Sequence, residues 1–76
     1  MANIDQIIRF IDEYLEKNRM SEITPVEANK QLEKAGILRD SEHRPGLPLR
    51  NLLRADKIPH AYQDGGKYAR WHIPHS

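Results

Sequence analysis

Apolar residues recur at helical spacing in the first part of the chain. At about 100° per residue, six of them fall within a sector of about 120°, and these are Ile4, Ile7, Ile8, Ile11, Tyr14 and Leu15. Asn3 and Gln6 have the spacing of a capping box, in which the first side chain accepts a hydrogen bond from the first helical turn. The pattern predicts an amphipathic helix over about 3–18. Phe10 lies off the apolar stripe, which indicates a second contact surface or packing against the C-terminal part of the chain.

A second helix is predicted from its capping residues. Thr24 supplies an N-cap hydroxyl, Pro25 suits the first helical position, and Glu27 places a carboxylate at the third. Gly36 suits a left-handed C-cap. These signals predict a helix over about 25–35, preceded by a short extended segment in 20–23. Its inner side is predicted to consist of Val26, Leu32 and Ala35.

A third helix is predicted after a polar loop at 39–46, which contains both Pro45 and Gly46. Pro48 suits the first turn of this helix, which is predicted over about 47–56. Its apolar face consists of Leu49, Leu52 and Leu53, and its opposite face consists of Arg50, Asn51, Arg54 and Lys57. The sequence therefore predicts a short helix that is both basic and amphipathic.

The hydrophobic period changes from 3.6 to 2 after Lys57. Two extended segments, 60–63 and 68–73, surround the turn sequence Asp-Gly-Gly-Lys at 64–67. Alternation predicts that Ala69, Trp71 and Ile73 face one side, and that Tyr68, Arg70 and His72 face the other. The segment is therefore predicted to be a β-hairpin over about 60–73.

Composition limits the chain to one small domain, because 76 residues leave little room for a second core. The chain has no cysteine, which excludes disulfides and thiolate sites and favours a reducing compartment. No apolar run is long enough to span a bilayer, and no secretory signal begins the sequence, so we expect a cytoplasmic protein.

The 12 Lys and Arg residues of the chain nearly balance its 11 Asp and Glu residues. They are unevenly distributed, however: 1–43 carries six basic and nine acidic residues, whereas 44–76 carries six basic and two acidic residues.

The predicted order of elements is helix, short strand, helix, helix and hairpin, and this is the order of a winged-helix domain. The segments 23–32, 52–59 and 70–76 also resemble parts of excisionase-like and MerR-type winged helix-turn-helix proteins. The resemblance covers roughly the last two-thirds of the chain. It departs from that family in a longer segment between Leu32 and Pro59 and in the helix at about 3–18. The family implies sequence-specific binding of double-stranded DNA by a transcriptional regulator or an excisionase-like accessory factor.

The basic residues suit that function. In winged-helix proteins the third helix enters the major groove and the hairpin, or wing, contacts the backbone. Arginine pairs with guanine edges and asparagine with adenine, so bases are predicted to be contacted by Arg50, Asn51 and Arg54. Lysine and arginine neutralise phosphates, a role predicted for Lys57, Lys67 and Arg70. The simpler alternative is that this basic face is only solvated.

Catalysis is not expected. The sequence contains no paired carboxylates, nucleophile elbow or phosphate-binding glycine loop, so neither an enzyme nor a small-molecule substrate is predicted. Trp71 is expected to be a core residue rather than a stacking platform. His72 and His75 have a spacing that occurs in metal sites, but they lack evident partner ligands. We therefore expect no metal and no cofactor.

The alternative function is protein interaction without DNA binding, because fold does not determine function. The isoleucine stripe of the first helix is broad for so short a chain. A second copy of the chain or another protein would bury the apolar surface that the domain itself cannot cover. This contact is predicted to involve Ile4, Ile7, Ile8 and Ile11.

Overall fold

The computed structural model describes residues 3–65 and 70–76. Within them the chain forms three helices and three short strands, in an α+β fold with an antiparallel sheet. In chain order these are α1 (Ile4–Lys17), β1 (Glu22–Ile23), α2 (Pro25–Lys34), α3 (Leu47–Arg54), β2 (Tyr62–Gln63) and β3 (Trp71–Pro74). None of the helices in the described residues is both long and apolar enough to cross a membrane. The α+β class and the order of the elements agree with the sequence prediction.

Helix α1 supplies one side of the core. The Asn3 Oδ1 accepts a hydrogen bond from the Gln6 amide at 3.2 Å, as the capping pattern predicted. The inner face is fully buried and consists of Ile7, Ile11 and Leu15. Half-buried residues of the same helix pack against this core, and these are Ile4, Ile8, Phe10 and Tyr14. Intramolecular packing therefore covers most of the isoleucine stripe.

Helix α2 begins where the sequence predicted, but it presents a different face to the core. Thr24 Oγ1 accepts a hydrogen bond from the Glu27 amide at 3.4 Å. The buried positions are Pro25, Ala28, Asn29 and Leu32, which follow the i, i+3, i+4, i+7 spacing of one helical face. Val26 comes one residue after the first of them, about 100° around the helix. The prediction that Val26 and Ala35 face inward was therefore wrong: both are exposed, Val26 to 48%.

Buried Asn29 joins α2 to the beginning of α3. Gly46 is the N-cap of α3 and has no side chain with which to cap it. Instead, the Asn29 Oδ1 accepts a hydrogen bond from the Leu49 amide at 3.0 Å, and its Nδ2 donates to the Leu38 carbonyl at 3.3 Å. A polar side chain on α2 thus satisfies an amide at the N-terminus of α3, where helices leave amides unpaired.

Gly46 allows the first turns of α2 and α3 to touch. Its φ of 84° lies in the left-handed region. A Cβ at this position would lie 3.0 Å from both the Val26 Cα and the Val26 amide nitrogen. Glycine is required here by conformation and by space, and the contact fixes α3 beside the N-terminus of α2.

Helix α3 is shorter than predicted. Ala55 is its C-cap, and Asp56 adopts a left-handed φ of 57°. The Lys57 amide then donates to the Leu52 carbonyl at 3.1 Å, which closes the last turn. The helix therefore ends at Arg54 rather than near residue 56, and Lys57 follows it in a turn.

Strand β3 is central in the sheet, whose order is β1-β3-β2. Ile23 on β1 lies opposite Ile73, and Gln63 on β2 lies opposite Trp71. The strands are shorter than the predicted 60–73 hairpin because the chain turns after Pro59, where the Ala61 amide donates to the Ile58 carbonyl at 3.2 Å. Ile73 is buried and Trp71 packs against the core at half-burial, as expected for one face of β3. The predicted positions of Tyr68 and Ala69 lie outside the described residues.

Candidate nucleic-acid interface

A groove of about 400 Å³ lies where the N-terminus of α2, the exposed face of α3 and the β2–β3 pair meet. Residues from all these elements line it: Thr24, Pro25, Val26, Arg50, Arg54, Gln63, Arg70 and Trp71. We call it the arginine groove. It brings residues of the predicted third helix and hairpin to one concave surface.

The local sequence explains how each arginine reaches this groove. Arg50 and Arg54 are one turn apart on α3, so they project from the same face, away from buried Leu49 and Leu53. Arg70 immediately precedes β3, and its carbonyl accepts a hydrogen bond from the Asp64 amide at 3.0 Å. The cap from Asn29 and the close contact at Gly46 hold α3 against α2, so the three guanidinium groups surround one space.

The groove is positively charged. It has three arginines and no acidic residue among its described lining residues. Within 3–65 and 70–76, no lysine or arginine forms an ion pair with a carboxylate, since histidine supplies the basic group in every ion pair there. The three charges therefore remain available to an anionic partner.

Arg50 is held more firmly than the other two. Its Nη2 donates to the Pro45 carbonyl at 3.2 Å. Its Nε is buried and has no hydrogen-bond partner in the described part of the chain. The bond to Pro45 therefore fixes the guanidinium beside the groove before any anion binds.

Two predicted DNA-contacting residues lie outside the groove lining. Asn51 is exposed on α3 but does not line the groove, and Lys57 is exposed in the turn after the helix. Lys67 lies outside the described residues. Asn51 and Lys57 are still able to contact a large ligand that extends beyond the groove.

Five lining residues were not predicted to belong to the site, and two of these, Thr24 and Pro25, were predicted only as the residues that begin α2. Val26 was assigned to the core, Gln63 had no assigned role, and Trp71 was expected in the core. Trp71 does pack there, but it also lines the groove. Gln63 can be recognised as a lining residue once the register of β2 and β3 is known, because it lies opposite Trp71. Val26 can be recognised only when it is known which face of α2 packs against the core.

A second polar cluster lies on the outer face of the sheet. His72 Nε2 lies 2.8 Å from Asp64 Oδ2, and its Nδ1 is paired with Glu22. Tyr62 donates its hydroxyl proton to Glu22 at 2.8 Å and stacks on the His72 ring with 5.1 Å between centroids. The hydrogen bond that His72 donates to Asp64, aided by both carboxylate charges, raises the pKa of His72, and the hydrogen bond that Tyr62 donates to Glu22 raises the pKa of Tyr62. This cluster joins all three strands.

A third cluster ties the segment after β3 to α1. The Ser76 amide donates to Asp12 Oδ1 at 2.9 Å, and the Ser76 hydroxyl also bonds to Asp12. Burial opposes ionisation of Asp12, but these hydrogen bonds and nearby His75 outweigh it and lower the pKa of the carboxyl. His75 Nε2 lies 3.2 Å from Glu16, and the hydrogen bond to Ser76 together with Asp12 and Glu16 raises the pKa of His75.

The two histidines considered as metal ligands belong to separate clusters. His72 faces carboxylates on β1 and after β2, whereas His75 faces carboxylates on α1. No three acidic or histidine side chains in the described ranges are grouped as a metal site would require. Their interactions are those of structural ion pairs.

A second groove of about 420 Å³ lies between α1 and α2. Its lining mixes aromatic, charged and amide side chains: Phe10, Glu13, Tyr14, Lys17, Asn18 and Gln31. With one acidic and one basic residue, it lacks the net charge of the arginine groove.

Comparison of the chain with protein-family models, with curated proteins and with solved structures finds no match.

Proposed function

We propose that this chain is a winged-helix domain that binds double-stranded DNA, in the role of a small transcriptional regulator or accessory factor. In this proposal α3 enters the major groove and the β2–β3 pair is the wing that contacts the backbone. The observation that carries the proposal is the arginine groove, in which unpaired cations from α3 and from the edge of β3 face the same space.

The arrangement of α3 supports a role in recognition. Its apolar face is buried by Leu49 and Leu53, and Arg54 and Asn51 are exposed on other sides of the helix. On the basic side, Arg54 is exposed and Arg50 is half-buried beside Pro45. A short helix exposed in this way matches the width of a major groove, where arginine can pair with guanine and asparagine with adenine.

The arrangement of Arg70 supports a role in positioning. This exposed residue stands at the start of β3, across the groove from α3. Phosphate contacts of this kind fix the register of a protein on DNA without reading its sequence. Lys57, and Lys67 from the sequence, are proposed to act in the same way.

A salt titration of binding to a random-sequence DNA duplex tests the proposal. Each neutralised phosphate contributes about −0.9 to the slope of log K against log salt concentration. Affinity should therefore fall steeply with salt, and Arg70→Ala should make the slope shallower by about one unit. The double variant Arg50→Ala/Arg54→Ala should weaken binding at every salt concentration.

Arg9→Ala is the matched control, because Arg9 is exposed on α1 and does not line the groove. Its slope and affinity should equal those of the unsubstituted chain. Salt-independent binding would contradict the proposal, and so would equal losses from Arg9→Ala and Arg70→Ala.

A second candidate function is protein interaction through α1, and the α1–α2 groove with its half-buried Phe10 and Tyr14 favours it. Because Ile7 and Ile11 are buried in the core, a homodimer contact would depend mainly on Ile4 and Ile8. Absence of duplex binding at low salt would favour this candidate, and sedimentation as a monomer at high concentration would exclude its homodimer form.

A further inference from the structure

We infer that the arginine groove binds a single nucleoside phosphate unit, with the base against Trp71 and the phosphate among the arginines. The unit comes either from a free mononucleotide or from one unpaired nucleotide of a DNA chain. The second source depends on the function proposed above, whereas the first does not.

The size of the groove favours one small ligand. At about 400 Å³ it falls at the lower end of the range for small-molecule pockets, roughly 300–1,000 Å³. A double helix lies on such a surface and does not enter it. A duplex bound across α3 and the wing therefore leaves the interior of the groove to a smaller group.

The charge of the groove favours a phosphate. Three arginines converge without a described carboxylate among them. The Arg50 guanidinium lines the groove, and the Pro45 carbonyl holds it in place by accepting a hydrogen bond from its Nη2. A guanidinium fixed in this way loses little freedom on binding an anion, and arginine matches the geometry of phosphate oxygens.

The apolar part of the lining favours a planar ring. Trp71 lines the groove beside the arginines, and Val26 adds an apolar side chain that is 48% exposed. Val26 lies off the helical face that packs α2 onto the core, so it is free to contact a ligand. Stacking of a base on an aromatic side chain is sequence-tolerant and adds substantially to affinity. The α1–α2 groove has a similar volume and two aromatic residues, but Glu13 offsets Lys17 there, so it does not suit a phosphate.

Trp71 is the one tryptophan in the sequence, and its fluorescence therefore reports directly on the groove. The experiment titrates the unsubstituted chain with adenosine monophosphate, ribose 5-phosphate and adenosine. Adenosine monophosphate should change the fluorescence at the lowest concentration. Loss of the base or of the phosphate should each weaken binding by about tenfold. Equal binding of ribose 5-phosphate and adenosine monophosphate would overturn the inference, because it would leave only an unspecific anion site.

Substitutions test the location. Arg54 and Arg70 are both exposed, so Arg54→Gln and Arg70→Gln should preserve the fold. Each substitution should weaken the binding of adenosine monophosphate by about tenfold. Arg9→Gln on α1 is the matched control and should change nothing. Equal affinity of all three variants would overturn the inference.

The two sources are distinguished with DNA. A duplex with one unpaired nucleotide at its 5′ end is compared with the same duplex made blunt. Tighter binding of the overhanging duplex, abolished by excess adenosine monophosphate, identifies an unpaired DNA nucleotide as the source. Equal binding of both duplexes together with binding of adenosine monophosphate identifies the free nucleotide. Salt-dependent binding of the blunt duplex without any response to adenosine monophosphate would overturn this inference and leave the proposed function intact.

Discussion

Replacing Asn29 with alanine tests the connection that holds α3 in position. The substitution removes the acceptor for the Leu49 amide and the donor to the Leu38 carbonyl. Asn29 is completely buried, and its bond with the Leu49 amide is buried too, whereas its bond with the Leu38 carbonyl is partly buried. Leaving one buried polar group unsatisfied costs about 1–3 kcal/mol.

Two polar groups lose their hydrogen-bond partner, and a water molecule entering the vacated space would restore part of the bonding. The expected loss in the free energy of unfolding is therefore about 2–4 kcal/mol. Domains of this size have a total stability of about 4–11 kcal/mol. The substitution should therefore remove a large fraction of this stability and lower the melting temperature by roughly 8–30 °C.

Urea denaturation followed by far-UV circular dichroism and by Trp71 fluorescence measures this loss. Asn51→Ala is the matched control, because Asn51 is exposed on α3 and its side chain makes no hydrogen bond within the described residues. Its effect should stay within about 0.5 kcal/mol. Equal destabilisation by the two substitutions would refute the role assigned to Asn29.

The remaining predictions concern a glycine and a histidine. Gly46→Ala should destabilise the fold more than Gly36→Ala. Both glycines have positive φ, but a Cβ at Gly46 would lie 3.0 Å from the backbone of α2, whereas a Cβ at Gly36 meets nothing within 4 Å. Gly36→Ala should cost about 1–2 kcal/mol for its conformation alone, and an equal cost at both sites in urea denaturation would show that α2 and α3 are not in close contact. Because the carboxylate partners raise the pKa of His72 above its ordinary 6.5, its contribution to stability should be fully present below about pH 6.5 and decline as pH rises through the raised pKa. Urea midpoints measured between pH 6 and 8.5 should fall for the unsubstituted chain and for His43→Gln, and fall less for His72→Gln; parallel curves for all three would count against the cluster.

Capping and periodicity predicted α1 and the start of α2 well. These signals are local, so Asn3 and Thr24 act through amides three residues away whatever the rest of the chain does. The end of α3 was less predictable. The left-handed residue that follows it is Asp56, whereas glycine is the residue that usually marks such a position in a sequence. The orientation of α2 was predicted wrongly at Val26, since its neighbours Pro25, Ala28 and Asn29 include few strongly apolar residues to mark the buried face.

The candidate site was predictable only in part. Arg50 and Arg54 were identified because a helix places residues four apart on the same face. Their meeting with Arg70, Trp71 and Gln63 depends on contacts between distant segments that no local pattern encodes.

The sequence by itself determined the kinds of elements, their order and the concentration of positive charge in residues 44–76, since hydrophobic period, caps and charge are properties of neighbouring residues. Tertiary structure decided which of those charges share a surface. Asn29 caps α3 from another helix, Gly46 brings α2 and α3 into contact, and the register of β3 with β2 sets Trp71 beside the arginines. The groove exists because these long-range contacts fix the three elements around one space.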